Sequence, residues 1–156
     1  MKTRFLFFRL FCSFLLTVAF FGENTAFAQT GDNAIEGYWM TNNNKAKFHI
    51  FKTTSGAFVG RLVWMHSPNG KDGKPKIDDK NPKESLRGRP LQDAIMITGL
   101  KWDADDKEYQ NGSVYDPTSG KTYKCFAKVE GQELKLRGYV GVSLLGKTTV
   151  WTRATN

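Results

Sequence analysis

Short runs rich in β-branched and aromatic residues recur along this chain, and Gly, Asn, Asp or Pro clusters end each one before it reaches helical length. The runs are Ile35 to Thr41, Ala46 to Thr53, Ala57 to His66, Ala94 to Trp102, Gly112 to Asp116, Lys121 to Val129, Glu133 to Val140 and Gly146 to Arg153. That makes eight strands and no convincing helix. Nearly every connection has hairpin length, which predicts an antiparallel meander. Twisted strands in such a meander close most economically into an up-and-down barrel, because closure removes the two exposed sheet edges. The expected fold is therefore all-β, a single eight-stranded antiparallel barrel. A two-sheet sandwich is the runner-up, but it would normally show longer crossovers. An eight-stranded barrel has an interior that side chains either fill or leave open for one small ligand.

One connection breaks the pattern. Ser67 to Pro90 has no period and contains Pro68, Pro75, Pro82 and Pro90. Long structureless connections are uncommon in compact domains and tend to carry function or to be disordered. Lys71 to Lys76 reads as its mobile half, whereas Asn81 to Pro90 has an Asn-Pro turn start, a single helical turn and a packed-down character. The acids Asp72, Asp78 and Asp79 alternate with lysines, as in a solvated loop.

The N-terminus carries Lys2, Arg4 and Arg9, then an apolar run from Leu10 to Phe21 broken only by Ser13 and Thr17, then Ala26-Phe27-Ala28. This is the order of a secretory signal peptide. An apolar run of about twelve residues, against the roughly twenty a membrane helix needs, argues against an uncleaved anchor. The expectation is a leader over residues 1–28, cleavage after Ala28, and one barrel domain over 29–156, exported to the periplasm or beyond and not membrane-spanning after cleavage. Loss of the leader removes three basic residues and one acidic residue, so the net charge falls from +8 to +6. Cys12 leaves with it, and no intrachain disulfide can form. Cys125 shares strand parity with Tyr123, Ala127 and Val129, which predicts a buried inward position.

Gly37-Tyr38-Trp39 opens the first strand and Arg153 closes the last. This pair resembles the lipocalin and calycin signature, in which an arginine of the final strand covers a first-strand indole. In a closed barrel those strands are neighbours, and the stacked guanidinium gains about 0.5–2 kcal/mol. A longer set of motifs follows: Gly60-Arg-Leu-Val-Trp64, Asn81-Pro with Leu86-Arg-Gly-Arg-Pro90, Gly112-Ser-Val-Tyr-Asp-Pro-Thr-Ser-Gly-Lys-Thr-Tyr123, Leu136-Arg-Gly-Tyr-Val-Gly141, and Gly146 through Trp151-Thr-Arg153. Together they resemble the bacterial family catalogued as domain of unknown function 2147. The resemblance implies an exported, lipocalin-like barrel with no established activity. Gln92-Asp93 departs from it, since a small residue or glycine is expected there.

The polar residues that stand out as a candidate binding set are Arg87, Arg89, Tyr115, Asp116, Arg137 and Tyr139. Arginines of the long loop could staple it to Asp116 or present cations to an anionic head group, since guanidinium geometry suits both. Asp116-Pro-Thr-Ser-Gly120 is also a turn in which Asp116 caps its own backbone. Gly138, in mid-strand, suggests a bulge, a close approach or barrel curvature. Phe48, Phe51, Phe58, Trp64, Trp102, Phe126 and Trp151 are candidates to fill the interior.

Catalytic and metal readings find little support. His49 and His66 lack metal-pair spacing, Ser85, Ser119 and Ser143 lack a nucleophile elbow, and Asp103 to Glu108 fails the EF-hand pattern because Glu108 stands where glycine is required. The lysines are spread over turns and outward faces instead of forming one stripe with stacking aromatics, so a nucleic-acid partner is not expected. Anionic envelope lipid is the better electrostatic partner. The sequence thus points to a protein that is not an enzyme, needs no cofactor and holds no metal. Its expected ligand is small and apolar or amphipathic, such as a lipid or fatty acid. The alternative is a cell-envelope interaction module with a filled barrel.

Overall fold

Each β-rich run pairs antiparallel with its chain neighbour, and the first also pairs with the last, so the sheet closes on itself. The computed structural model describes residues 31–156; the expected leader lies outside the described residues. The strands are β1 (Gly37–Met40), β2 (Ala46–Lys52), β3 (Phe58–Met65), β4 (Ile95–Asp103), β5 (Glu108–Asp116), β6 (Lys121–Glu130), β7 (Glu133–Tyr139) and β8 (Lys147–Ala154). Single 3-10 turns occur at Glu84–Leu86 and Ser143–Leu145.

Two strand starts differ from expectation by more than one residue. β5 begins at Glu108 instead of Gly112, because its polar first half still buries Tyr109 completely. A register shift between Tyr109 and Gly112, with Asn111 at φ 61°, hides the alternation there. β1 begins at Gly37, and Ile35 sits in the turn before it, fully buried.

A meander reverses at each link, so the β1–β2, β3–β4, β5–β6 and β7–β8 links share one end of the barrel and the remaining links share the other. That second end is closed. Trp39, Tyr109, Phe58, Ile35, Ile50, Leu100 and Leu134 fill it, none more than 1% exposed. Trp39 and Arg153 are direct cross-strand partners, hence on one face of the sheet. The guanidinium carbon lies 4.0 Å from the indole ring centre. Arg153 also donates to the carbonyls of Glu36 at 2.7 Å and Ala34 at 2.6 Å, and Trp39 Nε1 donates to the Ile35 carbonyl at 2.8 Å. Tyr109 accepts from the Ile35 amide at 2.9 Å and donates to the Gly31 carbonyl at 3.1 Å. Burial pushes its phenol up to about 12. The segment before β1 is thereby tied down as a plug. Gly37 is obligatory in this arrangement: its φ is 118°, and a Cβ would come within 3.0 Å of Arg153 Nη1.

Cys125 and Ala127 face inward as their parity predicts, and burial pushes the Cys125 thiol up to about 12. The aromatics divide. Phe48, Phe58, Trp102 and Trp151 belong to the core. Trp64 is 40% exposed, Phe51 lies under Arg61 at 5.4 Å, and Phe126 packs 6.3 Å from Tyr139. Phe51 and Phe126 have the wrong strand parity for the interior, so neither fills it.

Arg153→Ala should lower stability by about 2–3 kcal/mol in urea unfolding, from the lost cation–π contact and two carbonyls left without their donor. Arg61→Ala, which removes the exposed Phe51 contact, should change it by less than about 0.5 kcal/mol.

Candidate functional site

The opposite end is a cup mouth. A cavity of about 610 Å³ opens there between the β1–β2 turn, β5, β6 and the β7–β8 link. Its apolar wall is Val114, Leu136 and Trp151, with Tyr123, Thr149 and Lys147 also facing it. Trp151 is nearly buried and stacks on Phe48 with ring centres 4.8 Å apart, so the two rings floor the cup above the packed end. In β8 the inward parity of Trp151 passes through Thr149 to Lys147, which pair across β7 with Leu136 and Gly138. Inward positions thus grow smaller and more polar towards the mouth.

Gly138 explains part of the space. The register runs regularly through it on both sides, so there is no bulge. An added Cβ would meet Val114 at 3.5 Å and Tyr123 at 3.8 Å, which is ordinary contact, so no close approach demands glycine. The missing side chain is cavity volume.

The long loop lies at this open end and is fastened down throughout. Asn69 bridges Pro75, Gly70 donates to the Lys74 carbonyl at 2.8 Å, and Ile77 bridges Pro90. The Lys71 to Lys76 segment is therefore a pinned hairpin. At its centre Asp78 is fully buried, contrary to the solvated character expected of it. Asp78 Oδ2 accepts from Arg89 Nε at 3.0 Å, Arg89 Nη2 at 2.8 Å and Asn81 Nδ2 at 2.7 Å, and Oδ1 accepts from Tyr115 at 2.5 Å. Burial alone would raise the Asp78 pKa, but these donors outweigh it and hold the carboxyl below the ordinary range. Burial, then the hydrogen bond to Asp78, push Tyr115 up to about 12. Beside this latch, a second cavity of about 420 Å³ lies among Phe48, Leu62, Leu91, Met96 and Tyr115 and shares Lys45 and Ala46 with the first.

The six singled-out residues separate into three places. Arg89 and Tyr115 belong to the Asp78 latch, and Arg87 donates to the Asn81 carbonyl at 2.9 Å beside it. Among the described residues no arginine reaches Asp116. That carboxylate accepts from the Thr118 amide at 2.9 Å and from the Thr118 and Ser119 hydroxyls at 2.6 Å each, capping its own turn at the cavity rim. Burial opposes its charge, but these bonds lower its pKa overall. Gly120 completes the turn at φ 70°, and a Cβ there would stand 2.2 Å from the Lys80 carbonyl, so the loop rests directly on glycine. Arg137 holds the β7–β8 link, and Tyr139 stands on the rim. Sequence reasoning missed Asp78, Thr149 and Lys147. The last two were detectable from their shared parity with Trp151; Asp78 carries no such signal. At the Gln92-Asp93 departure, Gln92 donates to the Val63 carbonyl at 2.5 Å and Asp93 adopts φ 66°, a conformation glycine would take without strain.

Asp78→Asn should cost about 3 kcal/mol at neutral pH, because Arg89 and Asn81 lose a buried charged acceptor. The folded pKa of Asp78 is depressed, so its contribution is whole above about pH 4, the unfolded value, and fades as pH falls through the folded one. Urea unfolding of both proteins across this range should show the gap narrowing on acidification.

Comparison with curated proteins finds no match. Among solved structures, the barrel is similar to that described as "Protein HP1028 from the human pathogen Helicobacter pylori belongs to the lipocalin family". The TM-score is 0.66 at 22% identity, over 82% of this chain and 86% of that one. At that identity the likeness is one of fold: the architecture is lipocalin-like. The model of a family described as "Uncharacterized protein conserved in bacteria (DUF2147)" matches residues 37–153, from the glycine of the first strand to the arginine that covers Trp39. The chain belongs to this bacterial family.

Proposed function

We propose that the chain is an exported carrier, periplasmic or extracellular, that holds one small apolar or amphipathic molecule of the lipid or fatty-acid class in the cup. The observation that carries this reading is the 610 Å³ cavity with an aromatic floor and a lysine at its rim. Its size lies within the range of about 300–1,000 Å³ usual for small-molecule sites. An apolar tail would lie on Val114, Leu136 and Trp151, and a carboxylate would meet Lys147. An interaction module with a filled barrel would have no use for such space. Export is supported by the charged, apolar, small-residue order of residues 1–28.

We read the protein as a binder, not an enzyme. Cys125 is buried with its thiol held protonated, and His49 stacks on Tyr38 at 4.5 Å and lies tilted against Phe51 at 5.3 Å. Asp116 spends both carboxylate oxygens on its turn.

The test is titration of the delipidated 29–156 domain, which contains every strand of the closed sheet, with a fluorescent fatty acid. One molecule should bind per chain. Gly138→Leu should fill the cavity and weaken binding more than about tenfold, since the space it takes would otherwise bury ligand carbons, while urea unfolding shows the barrel intact. Lys147→Ala should weaken a fatty acid about two- to fivefold, as expected of a partly exposed ion pair, and leave the matching alcohol unaffected. Absence of binding, or a Gly138→Leu variant that binds as the parent does, would overturn the proposal.

A further inference from the structure

The β7–β8 link differs from the other links at the mouth. Val140-Gly-Val-Ser-Leu-Leu-Gly146 contains no charge, and its side chains stand in solvent: Val140 is 67% exposed, Val142 60%, Leu144 87% and Leu145 81%. Solvated links ordinarily use Gly, Asn, Asp and Ser, as the neighbouring Thr41 to Lys45 and Pro117 to Gly120 turns do.

The link is built, not loose. Arg137 on β7 donates from Nε to the Ser143 carbonyl at 2.8 Å, from Nη2 to the Leu144 carbonyl at 3.1 Å and from Nη1 to Thr148 Oγ1 at 2.9 Å. The 3-10 turn closes with Leu145 donating to Val142 at 3.2 Å and Gly146 to Ser143 at 3.1 Å. A Cβ on Gly146 would come within 2.7 Å of the Gly138 carbonyl, so the link is seated hard against β7. These bonds occupy backbone carbonyls of the turn while the aliphatic side chains stand in solvent. A preformed loop loses little conformational freedom on docking.

Its surroundings decide what it docks to. Val140 and Leu145 are also part of the cavity rim, so the apolar link is the lip of the mouth. Exposed lysines flank it: Lys147 follows it, Lys121 and Lys124 stand on the adjacent β6, and Lys45 lies across the opening. Asp116, capped by its own turn, is an acid on the rim, while at the closed end Asp32, Glu36, Asp103, Asp105, Asp106, Glu108, Glu130 and Glu133 outweigh Lys52, Lys107, Lys128 and Lys135. An aliphatic tip flanked by lysines, with a net acidic far pole, is complementary to an anionic lipid surface and orients the mouth towards it. A protein partner would favour aromatic and arginine anchors, and lysine is depleted at such interfaces.

We propose that the β7–β8 link is a membrane-docking lip, in which Val142, Leu144 and Leu145 insert among the headgroups of an anionic phospholipid bilayer and the flanking lysines hold the cup mouth against it. This docking does not depend on which molecule, if any, occupies the cavity.

The 29–156 domain is sedimented with vesicles of phosphatidylcholine alone and of phosphatidylcholine with phosphatidylglycerol. Binding to the anionic vesicles should exceed binding to the neutral ones and weaken with salt. Leu144→Asp with Leu145→Asp should reduce it by about tenfold or more, because insertion of each leucine depends on transfer of its apolar area. Since both positions are exposed, thermal unfolding should be unchanged. As a positive readout, Leu144→Trp should give a blue-shifted emission on vesicle addition that the parent, with its own four tryptophans, does not show. Equal binding by the double aspartate variant, no anionic preference, or an unshifted Leu144→Trp emission would overturn the proposal. So would a concentration-dependent dimer abolished by the same two substitutions, which would assign the lip to a second copy of the chain.

Discussion

Closure between β1 and β8 is the constraint from which the rest follows. A meander of eight strands leaves two unpaired edges, and only their mutual pairing removes both. β1 is just four residues long, so its few ladder bonds need support from side chains. Register supplies it: Trp39 and Arg153 fall opposite each other, and the guanidinium covers the indole while tying the Ala34 and Glu36 carbonyls to the last strand. One side chain thus joins the first strand, the last strand and the plug before β1.

Plugging one end sets the polarity of the molecule. Inward positions near Trp39 carry large side chains that fill the interior. Further along the same strands the inward series becomes Gly138, Thr149 and Lys147, too small or too polar to fill it. A barrel filled throughout would need large apolar residues at those positions. The long loop extends the mouth instead of closing it, because the buried Asp78 fastens it to Tyr115 on β5. Breaking this network would leave a charge without partners, which is why it fixes a single loop position.

Much of the fold was legible in the sequence, because turn residues and strand parity are local signals. Eight strands, their order and the inward Cys125 follow from patterns within a few residues, whereas the Trp39–Arg153 pairing comes from the resemblance to the lipocalin signature. β5 was read short because a bulge at Asn111 breaks the alternation. The site was less legible. Arg89 reads as a staple to Asp116 or a cation for a head group, but its partner is Asp78, which looks like a solvated acid until Tyr115, some forty residues away in sequence, is brought against it. Gly138 looked like a backbone device, and only the packing around it shows that its role is the absence of a side chain. Arg137 and Tyr139 stand out in the sequence as binding candidates, and the structure puts both at the lip, one holding the apolar turn and one on the rim.

A cup closed at one pole and hollow at the other makes a definite claim about where the proposed ligand would lie. The most direct measurement is a crystal structure of the 29–156 domain with a terminally brominated fatty acid, located by the anomalous signal of bromine. The predicted result is a bromine peak inside the barrel between Val114, Leu136 and Trp151, with the carboxylate end at Lys147. A bromine confined to the outer surface, or an interior found packed with side chains at Gly138 and Thr149, would contradict it.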